Sequence, residues 1–481
     1  MSLFAPLKAP KPTSAPAQRG WVARVDALVR TGRHKEALGA VLPMLQAPPL
    51  DKDALNIAAT CYWALDDTKT AYALMQVATQ TWTEEAWIWS KTASMALSLG
   101  DFAAAEAGFR KSLRLNPNNV NALASLNRLS PLDRQGTHAR RLRKLAISGE
   151  LSARDKATAF NALGRIEERA GHHKAAFRAF SRFRAASLGT YDPAQTDRIV
   201  TDQIRLYRPI EAEARDAARF VFIVGLPRSG TTLTERILAR HPDVRSIGES
   251  VALRDTMRAL RSYVAKTHGQ NGPWDWYDYM TPELIQSFRN RFLAAAGVTE
   301  ADAGRVIVDK MPLDALDMGL AQVLLPEARF VFMLRHPLDT GLSIYCTNFH
   351  TGNGFASKQV WIAHVMRAVY RSLDDYQPKL GAALRAQSYS ALVDAPEPQV
   401  RALLDHAGLS WNVNCLDPER DDRAVHTASL TQVRSGINRS GLDKWRPYRA
   451  ELSPLIEGLG GWDWIDAWHA RNARAARLAP D

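Results

Sequence analysis

From Gly225 to Thr232 the chain reads G-L-P-R-S-G-T-T, directly after the apolar run RFVFIV at 219–224. This is the spacing of a phosphate loop, Gly-x4-Gly-Lys-Ser/Thr, with Thr231 in the lysine position. In such loops the lysine reaches the outer phosphates of a triphosphate, and the hydroxyl after it binds magnesium. A loop without it still offers backbone N–H groups and a helix N-terminus to a 5′ anion. Arg228, Ser229, Gly230, Thr231 and Thr232 are the contacting residues expected here, with Arg228 and the threonines adding directed donors. The implied ligand is a nucleotide with a short 5′ anion, and its chemistry requires no metal. Incidental glycines in a turn are the plainer alternative, but strand, loop, paired threonines and helix fall in the required order.

A second apolar run, ARFVFMLRHP at 328–337, leads into the helical segment LDTGLSIYCTNF. Two such strands, each followed by a helix, predict a parallel α/β sheet with ligands at the carboxyl ends of its strands. Arg335 ends this strand and Ser343 lies eight residues later, so both can reach a ligand held by the loop. A forked guanidinium and a hydroxyl suit a second phosphate. Pairing of Arg335 with Asp339, and Ser343 as helix filler, is the competing reading.

With these motifs in place, residues 218–465 resemble the sulfotransferases that use 3′-phosphoadenosine 5′-phosphosulfate. PRSGTT at 227–232 is similar to their 5′-phosphosulfate loop and LRHPLDTGLSIY at 334–345 to their 3′-phosphate motif. The tyrosylprotein branch is the nearest in pattern. HPDVRSIGES at 241–250 resembles its acidic segment, VDKMPL at 308–313 its lysine-proline turn, and HTASLTQVRSGINRSGLDKW at 426–445 its distal serine-lysine segment. The chain reads GES where that branch has GEE, which leaves the acceptor preference open.

The resemblance implies in-line sulfonyl transfer to a hydroxyl, most simply a protein or peptide tyrosine, with adenosine 3′,5′-bisphosphate as product and no metal. Such a reaction needs a base for the acceptor proton and cationic donors for charge on the leaving oxygen. Glu249 takes the part of base, and Lys310 and Arg228 that of the donors. By motif position Ser429 would meet the leaving phosphate, Lys444 the 3′-phosphate region, and Tyr389 a phosphate or the adenine edge. His241 and His336 are weaker candidates for the base, and an exposed Lys310 paired with Asp309 is its plainer reading. A carbohydrate or small-molecule acceptor, a kinase-like phosphoryl transferase, and a scaffold with a vestigial nucleotide fold are the alternatives.

The amino-terminal half repeats. Gly32, Asp66 and Gly100 are 34 residues apart, as are Ala37, Ala71 and Ala105, and a fixed period of this length predicts stacked helical hairpins. With Asn116-Pro117 and the later unit FNALGRIEERAGHHKAAFRAF at 160–180, residues 20–190 resemble tetratricopeptide repeats, with a degenerate unit near 120–153. The expected fold class is therefore an all-α tetratricopeptide solenoid followed by an α/β P-loop-like domain with a parallel sheet. The domains expected are a disordered 1–19, repeats over 20–190, a helical linker over 191–217, a sulfotransferase domain over 218–470 and a tail over 471–481.

At 481 residues more than one core is required. The net charge of +12 suits an anionic ligand, but the basic residues are scattered, with no aromatic-interleaved stripe that would indicate nucleic acid. Three separated cysteines suggest a reducing compartment, and no apolar run is long enough for a membrane span, so a cytoplasmic protein is expected. A concave repeat surface would present a protein or peptide acceptor, and a homodimer stays open. The tryptophans at 411, 445, 462, 464 and 468 predict a packed terminal subregion.

Overall fold

The computed structural model describes residues 19–46, 49–65, 67–210, 219–349, 352–420 and 436–477, which fall into two units divided after Ala186. In the first unit every element is helical: α1 (Arg19–Arg30), α2 (His34–Val41), α3 (Lys52–Ala64), α4 (Thr68–Thr81), α5 (Ala86–Leu99), α6 (Phe102–Leu115), α7 (Val120–Leu129), α8 (Thr137–Ile147), α9 (Ala153–Arg169) and α10 (His173–Ala186). His34, Thr68 and Phe102 open the second helices of three hairpins at the 34-residue period. Asp67 and Asp101 accept N–H bonds from Thr70 and Ala104 and so cap α4 and α6. Arg33 holds the equivalent position before α2 and pairs with Glu36 instead. Ala37, Ala71 and Ala105 are all fully buried, small side chains at the close approach of paired helices. The same crowding explains Gly164, where an added Cβ would lie 2.4 Å from the Phe180 ring. Asp66 lies outside the described residues.

The second unit is built on five parallel strands in the order β2-β3-β1-β4-β5. After α11 (Pro193–Leu206) come β1 (Arg219–Gly225), α12 (Thr231–Ala239), β2 (Val244–Gly248), α13 (Ala252–His268), α14 (Pro282–Ala295), β3 (Val306–Lys310), α15 (Met318–Leu324), β4 (Arg329–Leu334), α16 (Pro337–Tyr345), α17 (Gln359–Leu380), β5 (Leu384–Ser388), α18 (Tyr389–Asp394) and α19 (Pro396–His406). The central strand β1 is apolar on both faces, as a covered parallel sheet requires. Alternation sends Phe220 and Phe222 against Phe292 of α14 and Phe330 of β4. Val221 and Ile223 join Ile237 and Leu238 of α12 on the opposite face. Helix α11, read from sequence as a connector, packs on α17, where Ser372 Oγ donates to Gln203 Oε1 at 2.7 Å and Lys379 Nζ to Ile204 O at 3.2 Å.

Candidate active site

Strand register brings five chain segments to one edge of the sheet. Ile223 of β1 pairs with Lys310, Gly248 of β2 with Asp309, Gly225 of β1 with Met333, and Leu334 of β4 with Ser388. The loop after β1, Glu249 after β2, Lys310 at the end of β3, Arg335 after β4 and Tyr389 after β5 therefore all lie at carboxyl ends. This is where an open parallel sheet leaves a crevice, beside the strand at which the order reverses.

The loop turns through three left-handed backbone positions, Gly225 (φ 136°), Arg228 (φ 70°) and Gly230 (φ 113°). A side chain at Gly230 is doubly excluded, since its Cβ would also lie 2.5 Å from Cδ2 of Tyr389. Arg228 pays a strain of order 1–3 kcal/mol for its conformation. It is held there by Arg335, whose Nη1 donates to Arg228 O at 2.6 Å, and its own Nε donates to Ser343 Oγ at 3.1 Å. Thr231 is buried and Thr232 half-buried at the start of α12. The Ser229 hydroxyl turns back to Leu226 O at 2.7 Å and braces the loop.

Arg335 is almost wholly buried. Its Nη2 donates to Gly441 O, and its guanidinium lies 4.8 Å from the centroid of Tyr389. It forms no ion pair with Asp339, whose carboxylate instead accepts N–H bonds from Asp443 (2.9 Å) and Trp445 (3.1 Å). Those two bonds anchor the segment that carries the exposed Lys444. Burial drives the Tyr389 hydroxyl above its ordinary pKa, so it stays a neutral donor. The Arg335 Nε is buried with no hydrogen-bond partner among the described residues, a donor left over for an anion. That orphan and the glycine-lined loop fit a nucleotide with two anionic ends. Ser429 lies outside the described residues.

Lys310 is not the exposed lysine of the plainer reading. It is 1% exposed, and its Nζ sits 2.5 Å from Glu249 Oε1 and 3.6 Å from Glu235 Oε2. Its neighbour Asp309 is pushed up to about 8, by burial foremost and then by the charge of Glu235. Glu249 keeps nearly half its side chain exposed. An ammonium held from below and a carboxylate open to solvent can stabilise charge and take a proton side by side.

Neither histidine competes as base. His241 is buried, with Nε2 3.1 Å from Ser410 O and Nδ1 accepting from Asp243 N. His336 caps α16 through Nδ1 and stacks flat on Trp445, and burial drives it down to about 4. The terminal aromatics do pack together: Tyr370 stacks on Trp468 at 3.6 Å, with Trp464 5.8 Å beyond, although Trp411 lies elsewhere under Arg401. Sequence reasoning missed Glu235 and Ser246, whose Oγ donates to Glu235 Oε1 at 2.7 Å. An acid inside the helix that follows a phosphate loop was the available signal. No group of three or more His, Cys, Asp or Glu is placed to hold a metal among the described residues, and no described helix is long and apolar enough to cross a membrane.

A central parallel sheet with a glycine-lined loop after its first strand and cationic residues at its strand ends makes this unit an α/β domain of P-loop-like form. Residues 221–413 match the model described as "Sulfotransferase family", and this part of the chain is a domain of that family. The chain is 33% identical over 263 residues to an uncharacterized protein of Aquifex aeolicus, covering 52% of this chain and 33% of that one, so it spans a third of that relative's length. It is 26% identical over 266 residues to protein-tyrosine sulfotransferase 1 of Danio rerio, covering 50% of this chain and 71% of that protein. Among solved structures it is similar to the sulfotransferase domain of the Synechococcus PCC 7002 olefin synthase, at 20% identity and a TM-score of 0.39, over 57% of this chain and 99% of that domain. The helical unit ahead of the domain has the paired-hairpin form of tetratricopeptide repeats.

Proposed function

We propose that the second unit transfers a sulfonyl group from 3′-phosphoadenosine 5′-phosphosulfate to a hydroxyl, and that the acceptor is a protein or peptide tyrosine. The observation that carries this is the Lys310–Glu249 pair at the edge where the loop, Arg335 and Ser343 also end. When bound, the donor supplies the activated sulfonyl group. The loop amides from Gly225 to Thr232 would hold its 5′ end, with Arg228, Thr231 and Thr232. Arg335, Ser343 and Tyr389, together with Lys444 by motif position, would hold its 3′ phosphate and base, and Ser429 by motif position would meet the leaving phosphate. Glu249 takes the proton of the acceptor hydroxyl, whose oxygen then bonds to sulfur while the S–O bond to the nucleotide breaks. Lys310 and Arg228 stabilise the electron pair left on the nucleotide oxygen.

The tyrosine acceptor is supported by the similarity to protein-tyrosine sulfotransferases. The repeats are proposed to bind that protein, since stacked hairpins build an extended concave surface. A cytoplasmic location is supported by three buried, free cysteines. The decisive assay supplies radiolabelled donor with tyrosine peptides, glycans and small phenols. Labelled tyrosine peptide is the result expected, and label on glycans or phenols alone would reassign the acceptor. Tight binding of magnesium-ATP without binding of adenosine 3′,5′-bisphosphate would overturn the donor.

A further inference from the structure

Lys310 is a buried cation whose visible partner, Glu249, cannot remain its partner through a reaction. Once Glu249 accepts the acceptor's proton it is neutral, and a buried ammonium stripped of its counter-charge is strongly unfavourable. Something else must hold the charge.

The groups facing Lys310 come from three elements. Glu249 follows β2, Asp309 precedes the lysine on β3, and Glu235 projects from α12. Asp314 and Asp317 follow in the turn after β3; Asp314 feels the charges of Asp309 and Asp317, opposed by Arg254, and Asp317 that of Arg261. Burial pushes Asp309 up to about 8 and raises Asp314 and Asp317 as well, disfavouring the charged form of each. Glu235 differs. Its Oε2 is 3.6 Å from Lys310 Nζ, its Oε1 is fixed by Ser246 Oγ at 2.7 Å, and it is shielded from solvent at 7% exposure.

We propose that Glu235 is a positioning residue for Lys310, carrying its counter-charge from the α12 side so that Glu249 is free to leave the pair for an acceptor hydroxyl. The inference rests on the proposed transfer reaction for its purpose, but its geometry is independent of it. Lys310 stands between two carboxylates in unequal settings: one is tethered and buried, the other exposed.

The test is Glu235→Gln in the full chain, which keeps the side chain's size and its bond to Ser246 while removing the charge. Turnover is expected to fall about tenfold or more, with the donor KM changed less than about threefold. The alkaline limb of the activity profile moves to lower pH, because loss of a nearby anion disfavours the charged lysine. Glu235→Asp restores part of the turnover. A readout independent of activity is the 13Cε NMR signal of Lys310 in the free protein, which should show the amine losing its proton at lower pH than in the unaltered chain. An unmoved lysine signal, or an unmoved alkaline limb, overturns the role of Glu235. A moved signal in a protein that transfers no sulfate overturns the proposed reaction and leaves the lysine's support intact. Should Glu235→Gln fail to fold, Ser246→Ala frees Glu235 from its tether, and a smaller shift of the same sign is expected there. Its absence counts equally against the proposal.

Discussion

Lys310 Nζ and Glu249 Oε1 lie 2.5 Å apart in opposite environments, the lysine side chain 1% exposed and the glutamate 46%. Glu249 is the solvent-exposed partner and Lys310 the buried one. Glu249→Gln removes the base and keeps the volume, so turnover is expected to fall about 10²–10⁴-fold. Calorimetric affinity for adenosine 3′,5′-bisphosphate should change little, since Glu249 has no part in holding the nucleotide. Full turnover in the variant would remove Glu249 from the role of base.

Arg335 joins the loop, the 441 segment and the Tyr389 ring through one planar group. A lysine carries the charge without the fork or the stacking. Arg335→Lys is therefore expected to weaken adenosine 3′,5′-bisphosphate binding by about 1.5–3 kcal/mol, some 10–100-fold by titration calorimetry. Ser343→Ala should cost less, about 0.5–1.5 kcal/mol. Unchanged affinity in both would make this cluster a brace and not a phosphate site.

Gly230 meets two constraints at once, a φ of 113° and the Tyr389 ring. Gly230→Ala is expected to cost about 1–3 kcal/mol from backbone strain alone and to displace Tyr389. Both a lower Tm and lost nucleotide binding should follow. A variant that keeps its Tm but loses binding would place the damage in the loop alone.

Asp309 is pushed up to about 8 in the folded chain, from about 3.9 when unfolded. Between these values the folded chain holds a proton that the unfolded chain has released, so this residue makes stability fall as pH rises from about 4 to about 8. His336, driven down to about 4, acts oppositely: the unfolded chain takes up a proton first, and stability is lost as pH falls from about 6.5 toward 4. Denaturant melts across pH should show Asp309→Asn flattening the decline on the alkaline side. The same slope in variant and unaltered chain would count against a buried, protonated Asp309.

Much of the architecture was legible because it is periodic. The 34-residue spacing of Ala37, Ala71 and Ala105 marks the positions where helices touch, and all three are fully buried. The loop was legible for a related reason, since a left-handed turn at a strand end admits few residues, and Gly225 and Gly230 supply them in order. Arg335 and Ser343 could be placed because strand and helix geometry fix where residues eight apart will point. The partners of those residues could not be read in this way. Glu235 lies 75 residues from Lys310 in sequence and reaches it only because β3 inserts between β2 and β1, carrying the lysine beneath α12.

The sequence by itself determined which residues are candidates to hold an anion and to exchange a proton, because side-chain type and local spacing single them out. Only the tertiary structure decided the environments. It buried Lys310, left Glu249 open, gave Asp339 to the backbone of 443–445, and turned Ser229 inward. The physical reason is that charge state and reach depend on desolvation and on neighbours from distant strands, and strand order is set by packing across the whole sheet.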